Sequence, residues 1–296
     1  LNLKMVSQYL SEVKELVKVK LTESIGNSNP VEKSMVYSAI AESKMVRAGL
    51  IFASSEINSS LEHDSVITLA ASIELMHTYS LIHDDLPCMD DDDIRRNQPS
   101  NHIKYGEANA VLSGDALQAL SYEIICNDIY LSDNNKVKAL KLLSQACGKN
   151  GMVLGQHLDI ENENNLAKTD QESLDHIHQL KTGKLIECSV LFGQLNNDLN
   201  DSELQNFKSF SRKLGLAFQI IDDVLDVTES SEILGKNNNS DIKNNKDTYV
   251  NIIGVEASRA RAKSLIESSV ADLNNNNLTN IDKLVDIAYY LIERRN

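Results

Sequence analysis

A chain of 296 residues with 42% hydrophobic content can bury a large core, and it carries a net charge of −14. That balance excludes a nucleic-acid partner, because phosphate backbones demand a positive face. Three prolines and few alternating runs of Val, Thr and aromatics exclude an extensive sheet, so the expectation is an all-α chain forming one domain over residues 1–296.

From the start, Leu3, Val6, Leu10, Val13, Leu16, Val17 and Leu21 recur at three and four, predicting a helix over Leu3–Ile25 that ends before Gly26 and Pro30. No signal-peptide pattern precedes it and no run of about 18 apolar residues follows, which reads as a cytoplasmic chain without a membrane span. Helical periodicity continues over Val31–Ile57, Asp64–Asp85, Glu107–Tyr130, Lys136–Leu154, Gln171–Leu195, Asp201–Val227, Glu256–Leu273 and Thr279–Arg294. Asn237–Asn245 lacks periodicity and reads as a loop. Cys88, Cys126, Cys147 and Cys188 stand far apart without zinc spacing and read as reduced and structural.

Two acidic clusters interrupt this pattern. Asp222, Asp223 and Asp226 lie within Phe218–Asp226, a segment otherwise apolar, with Asp222 and Asp226 one turn apart on one helix face. Two carboxylates on a packed helix repel and resist burial unless a divalent cation compensates them. The other cluster, His83 to Asp93, follows the apolar stripe Val66, Leu69, Ala70, Ile73, Met76. Asp84 and Asp90 are about 240° apart on a regular helix, so they share a face only if Pro87 breaks it and the chain turns back. Carboxylate oxygens suit Mg²⁺, which is commonly held by one or two carboxylates plus substrate phosphates. The two clusters together therefore point to a diphosphate bridged by Mg²⁺.

With Ser80 to Pro87, Met89 to Asp93, Arg95-Arg96, Gly106 to Ala110, Gly114 to Gln118, Lys181-Thr182-Gly183 and Phe218 to Asp226, the chain resembles the trans-prenyltransferases of the isoprenoid synthase fold, and among them the bacterial farnesyl diphosphate synthases. The resemblance runs over nearly the whole chain and implies a single large helical bundle around a central cavity, working as a homodimer. It implies that Asp84, Asp90 and Asp222 hold three Mg²⁺ ions on an allylic diphosphate, with Asp85, Asp223 and Asp226 as ligands or just behind them. Arg95, Lys181, Thr182, Gln219 and Lys236 would contact the allylic substrate, dimethylallyl or geranyl diphosphate. Lys44, Arg47, His77 and Arg96 match the family's isopentenyl diphosphate site. Taken singly, these residues read as surface charges, a core histidine or capping groups, and only the joint pattern makes them ligands. The chain departs from relatives at Glu42-Ser43, Met45 and Ala48, where they carry two glycines, a second arginine and a proline, and at Asp247 and Val250 near Lys246.

The implied reaction ionises the allylic diphosphate, condenses the resulting cation with isopentenyl diphosphate and then loses a proton, giving farnesyl diphosphate. Residues just before the first aspartate motif, Tyr79 and Ser80, would set chain length. A phenol at Tyr79, about 7.5 Å along the axis from Asp84, favours a C15 product over geranyl or geranylgeranyl diphosphate. Alternatives are a terpene cyclase, a non-catalytic partner subunit, or a calcium-binding helical protein. The two intact aspartate motifs and their accompanying cations disfavour all three.

Overall fold

A computed structural model of the chain describes residues 3–58, 61–163, 170–228, 248–274 and 278–293. Lys236, the Asn237–Asn245 loop and Lys246-Asp247 lie outside the described residues. Helix α1, Leu3–Ile25, buries Val6, Leu10, Val13, Val17, Leu21 and Ile25, whereas Leu3 and Leu16 lie at the stripe's edge, each 40% exposed. The expected helix over Val31–Ile57 is two. α2, Pro30–Ala39, starts at Asn29, whose side chain accepts from the N–H groups of Val31 and Glu32. α3, Val46–Ser55, starts after Met45, which is left-handed at φ 43° and gives no side-chain cap. A residue in that conformation ends the helical path between them.

α4, His63–Asp84, is buried on nearly every side. It is long and apolar enough to cross a membrane by length and composition, correcting the expectation that no such run exists, but 78% of its apolar window is buried inside the protein. It is the axis of the first core cluster and packs along α6, Glu107–Cys126, as well as α3 and α1. Between α4 and α6 come a two-residue hairpin, β1 Ile94–Arg95 with β2 Gln98–Pro99, and the short α5, Asn101–Tyr105, none of which the sequence reading anticipated. Arg96 and Asn97 both have positive φ, 55° and 60°, the geometry of a type I′ turn. α6 stops four residues earlier than expected, where Asp128 accepts from the N–H groups of Tyr130 and Leu131.

The stretch expected as one helix over Lys136–Leu154 is α7, Asp133–Cys147, and α8, Met152–Glu163, parted at Gly148–Gly151. The stretch over Gln171–Leu195 is α9, Gln171–His178, then a π-helical turn over Gln179–Gly183, then α10, Lys184–Phe192. α11 runs unbroken from Asp201 to Thr228 and organises the second core cluster. It packs along α10, the π turn and α13, Val255–Asn274. α12, Tyr249–Ile253, precedes α13, and α14, Asp282–Glu293, closes the described chain. Buried hydrogen bonds tie α3 to α10 and the turn after it: Ser54 Oγ donates to the Val190 carbonyl at 2.7 Å, and Gln194 Nε2 to the Ser54 carbonyl at 2.6 Å. Cys147 and Cys188 are buried, but Cys88 and Cys126 are exposed, so only two of the four pack in the core.

Candidate active site

α4 ends at Asp84, and the Asp90 N–H returns to the Asp84 carbonyl at 2.8 Å, while Met89 and Asp91 N–H groups bond the Leu86 carbonyl. The chain thus turns back as the Pro87 break implies and sets Asp90 beside Asp84, although of the two only Asp84 lines the active-site cavity. Burial pushes the Asp84 carboxyl up to about 7; the Lys181 charge opposes this and the Asp90 charge adds to it. Asp85 faces elsewhere. Its Oδ1 accepts from Arg95 Nε at 2.8 Å and from Arg95 Nη2, which also reaches Asp92 Oδ2 at 3.2 Å. The hairpin therefore seats Arg95 in an ion pair behind the motif and outside the wall of the cavity that Asp84 enters.

That cavity has a volume of about 500 Å³. Asp84 and Asp222 enter it from α4 and α11, joined by Arg47, His77, Lys181, Thr182 and Gln219, and its apolar wall includes Tyr79, Met89, Met152, Val153, Ile160 and Phe218. Ser80 also lines it, its hydroxyl donating to the His77 carbonyl at 2.8 Å. Arg47 Nη1 donates to His77 Nε2 at 3.2 Å. Burial first, then the neighbouring arginines, holds the His77 ring well below its ordinary pKa, so it stays neutral and accepts. Lys44 and Arg96 do not line this cavity; Arg96 lines a neighbouring cleft with Asp85, Arg95 and Thr78.

The π turn carries Lys181 and Thr182. One extra residue per turn is a frequent device at functional sites, and here it lets Lys181 Nζ reach Asp159 Oδ2 at 2.5 Å on one side while Thr182 Oγ1 donates to Gln219 Oε1 at 3.1 Å on the other. Gln219 Nε2 passes the chain on to Asp223 Oδ1 at 3.2 Å, and Asp223 Oδ2 accepts the Tyr249 N–H at 3.0 Å. Asp223 thus anchors the first residue of α12. Of the second motif only Asp222 reaches the cavity wall; Asp223 and Asp226 are buried beside it, 4% and 2% exposed.

The sequence reading missed α8. Met152, Val153, Gln156, His157 and Ile160 line the cavity, and Asp159, 2% exposed, holds Lys181. A Cβ on Gly155 would sit 2.2 Å from the Lys181 backbone nitrogen, so only glycine lets α8 approach the π turn this closely. Both polar atoms of the Gln156 amide are buried with no hydrogen-bond partner. The available signal was the glutamine and aspartate three apart among apolar neighbours.

The donor set fits Mg²⁺. Asp90 Oδ1 is buried without a hydrogen-bond partner, and the penalty of Asp84 beside Asp90 is one that a divalent cation relieves. Among the described residues no three His, Cys, Asp or Glu side chains converge closely enough to hold an ion unaided; Mg²⁺ is commonly held by one or two carboxylates with water and substrate phosphate.

The model of the polyprenyl synthetase family matches residues 28–288. The chain is 38% identical to a geranylgeranyl diphosphate synthase of Cyanophora paradoxa, over 97% of this chain and 96% of that protein. It is 37% identical to the farnesyl diphosphate synthase of Bacillus subtilis, over 86% of each. Among solved structures, a geranyltransferase from Helicobacter pylori complexed with magnesium and isoprenyl diphosphate superposes with a TM-score of 0.86 at 32% identity, covering 98% of both chains.

Proposed function

The chain belongs to the polyprenyl synthetase family and is a prenyltransferase of isoprenoid synthase fold, and from this premise we propose that it condenses dimethylallyl and then geranyl diphosphate with isopentenyl diphosphate to give farnesyl diphosphate. The observation that carries the reading is the meeting of Asp84 and Asp222, from two separate helices, at one cavity that also holds Lys181 and an apolar wall. Mg²⁺ at Asp84, Asp90 and Asp222, three ions by the family resemblance, would offset the charge that develops as diphosphate leaves. Lys181 and Thr182 orient the allylic diphosphate, and Met152, Ile160 and Phe218 keep water from the allylic cation. Neutral His77 is a poor base in this setting, so the released diphosphate takes the final proton.

Tyr79 supports the C15 product. Its ring is 7% exposed, lines the cavity and meets the His83 ring edge-on at 5.6 Å. The relatives carry both geranylgeranyl and farnesyl names at nearly equal identity, 38% and 37%, so a C20 product is the second reading. Exposed apolar residues on α6, after it and on α7, namely Val111, Leu112, Ile129, Tyr130 and Val137, support a homodimer, and the family match over 28–288 supports one domain.

Diphosphate release measured with each substrate alone and with both tests the reaction class. Release that requires both is expected. Release from a lone allylic substrate at the same rate marks a terpene cyclase instead. Arg96→Ala and Lys44→Ala should raise KM for isopentenyl diphosphate about tenfold, the size of one charge-assisted contact, with little change in the allylic KM. An equal rise for both substrates contradicts a separate second diphosphate site.

A further inference from the structure

Glu74 sits on α4 in the middle of the bundle, only 3% exposed. It does not line the active-site cavity or the cleft beside it. A carboxylate there resists burial unless the structure repays it with hydrogen bonds or opposite charge, and Glu74 has both. Oε1 accepts the Ala48 N–H at 3.1 Å. Ala48 is the third residue of α3, in the turn whose amide groups have no partner within the helix. α3 needs this partner because its own cap position, Met45, is left-handed and offers no side-chain bond. α4 therefore supplies from outside the cap that α3 lacks, and Arg47 projects from that same turn.

The charge of Glu74 acts on two cations. Burial lowers the proton affinity of both Arg47 and Arg96, and the attraction of Glu74 is the largest opposing influence at each. Glu74 in turn is pushed up by burial and drawn down first by Arg47, then by Arg96, then by the Ala48 N–H. Arg47 reaches this point from α3 and Arg96 from the tip of the hairpin, where it holds a left-handed φ of 55°. Arg47 Nε is buried without a hydrogen-bond partner. Both arginines are half-buried, Asp222 also attracts Arg47 and Asp85 also attracts Arg96, and the Arg96 guanidinium donates to the Ser38 carbonyl at 3.4 Å. Glu74 is thus the strongest of a few anionic influences on a pair of cations suited to an incoming polyanion.

We propose that Glu74 is a positioning residue for the isopentenyl diphosphate site: it fixes the first turn of α3 and holds the Arg47 and Arg96 guanidiniums in place for the second diphosphate without touching it. The proposal rests on the assignment of Arg47 and Arg96 to that substrate. Removing the carboxylate would let the α3 turn fray and leave two like charges to repel, so the loss falls on one substrate.

The test uses the full chain with Mg²⁺ and both substrates, comparing Glu74→Gln, which keeps an acceptor oxygen for the Ala48 N–H but removes the charge, with Glu74→Ala, which removes both. The expected result is a rise of about tenfold in the isopentenyl diphosphate KM for Glu74→Gln and a larger one for Glu74→Ala, with the allylic KM and, in Glu74→Gln, the helical circular dichroism unchanged. Equal rises in both KM values, or an unchanged isopentenyl diphosphate KM in folded Glu74→Gln, overturn the proposal. If Glu74→Ala does not fold, Glu74→Gln decides alone. Arg96→Ala run in parallel separates the two claims: should it leave the isopentenyl diphosphate KM untouched, the substrate assignment fails and the proposal with it. Should Arg96→Ala raise that KM while Glu74→Gln does not, the role of Glu74 fails alone.

Discussion

Asp84→Ala and Asp222→Ala are each expected to lower kcat at least about a hundredfold, the scale on which lost charge stabilisation at a leaving group is felt. The two residues come from α4 and α11, and no other described carboxylates line the cavity. Chelation of divalent ions should abolish wild-type turnover, and added Mg²⁺ should restore wild type but neither variant. The fold should survive, because a buried carboxyl whose pKa has risen to about 7 is itself a burden. Its folded pKa lies above the unfolded value near 3.8, so its contribution to stability falls as pH rises from about 4 to about 7. At pH 8 without metal, Asp84→Ala should therefore melt no lower than wild type. Near-normal kcat at saturating Mg²⁺ would remove the ligand assignment, and a collapsed melting curve would mean that the loss reports folding.

Tyr79→Ala is expected to move the main product from C15 to C20. The phenol occupies the cavity beside His83, and its hydroxyl faces the Gln118 side chain of α6. Truncation opens the space between α4 and α6, into which the tail of farnesyl diphosphate can extend, so that this product re-enters as an allylic substrate. Because the ring is part of the core, the change should also cost about 3–5 kcal/mol of stability, read by urea denaturation. The Mg²⁺ dependence should be unaltered. A variant that still stops at C15 shows that the floor lies elsewhere, with His83, whose ring packs where any side chain on Gly114 would fall, the next residue to examine.

What was legible in the sequence was whatever repeats at helical spacing over several turns. α1, α4 and α11 follow from their apolar stripes, and Asp222 stands out because a carboxylate interrupts one of them. The return of Asp90 to Asp84 follows from a single proline. The π turn does not show in the sequence, because five residues, Gln179–Gly183, are too few for their wider turn to be told from an ordinary helical spacing. Two-residue strands are too short to show a period of two, so the hairpin that separates Arg95 from Arg96 could not be read, nor could the Arg95–Asp85 pair that depends on it. Met45 looks like any helical methionine, and nothing in its side chain signals the left-handed conformation it takes. α8 is hard to read because its apolar spacing lapses after Leu154, at Gly155 and Gln156. Glu74 carries the same signal as Asp222, an acid within an apolar helix, but a weaker one, because no second acid accompanies it one turn away.

The central claim is most directly tested by incubating the purified protein with dimethylallyl diphosphate, isopentenyl diphosphate and Mg²⁺ and sizing the hydrolysed products by chromatography. The account predicts that C15 alcohol dominates, that C10 appears only transiently, and that nothing forms without Mg²⁺. A main product of C20 would contradict the role given to Tyr79, and the absence of any chain longer than C5 would contradict the prenyltransferase reading of the cavity itself.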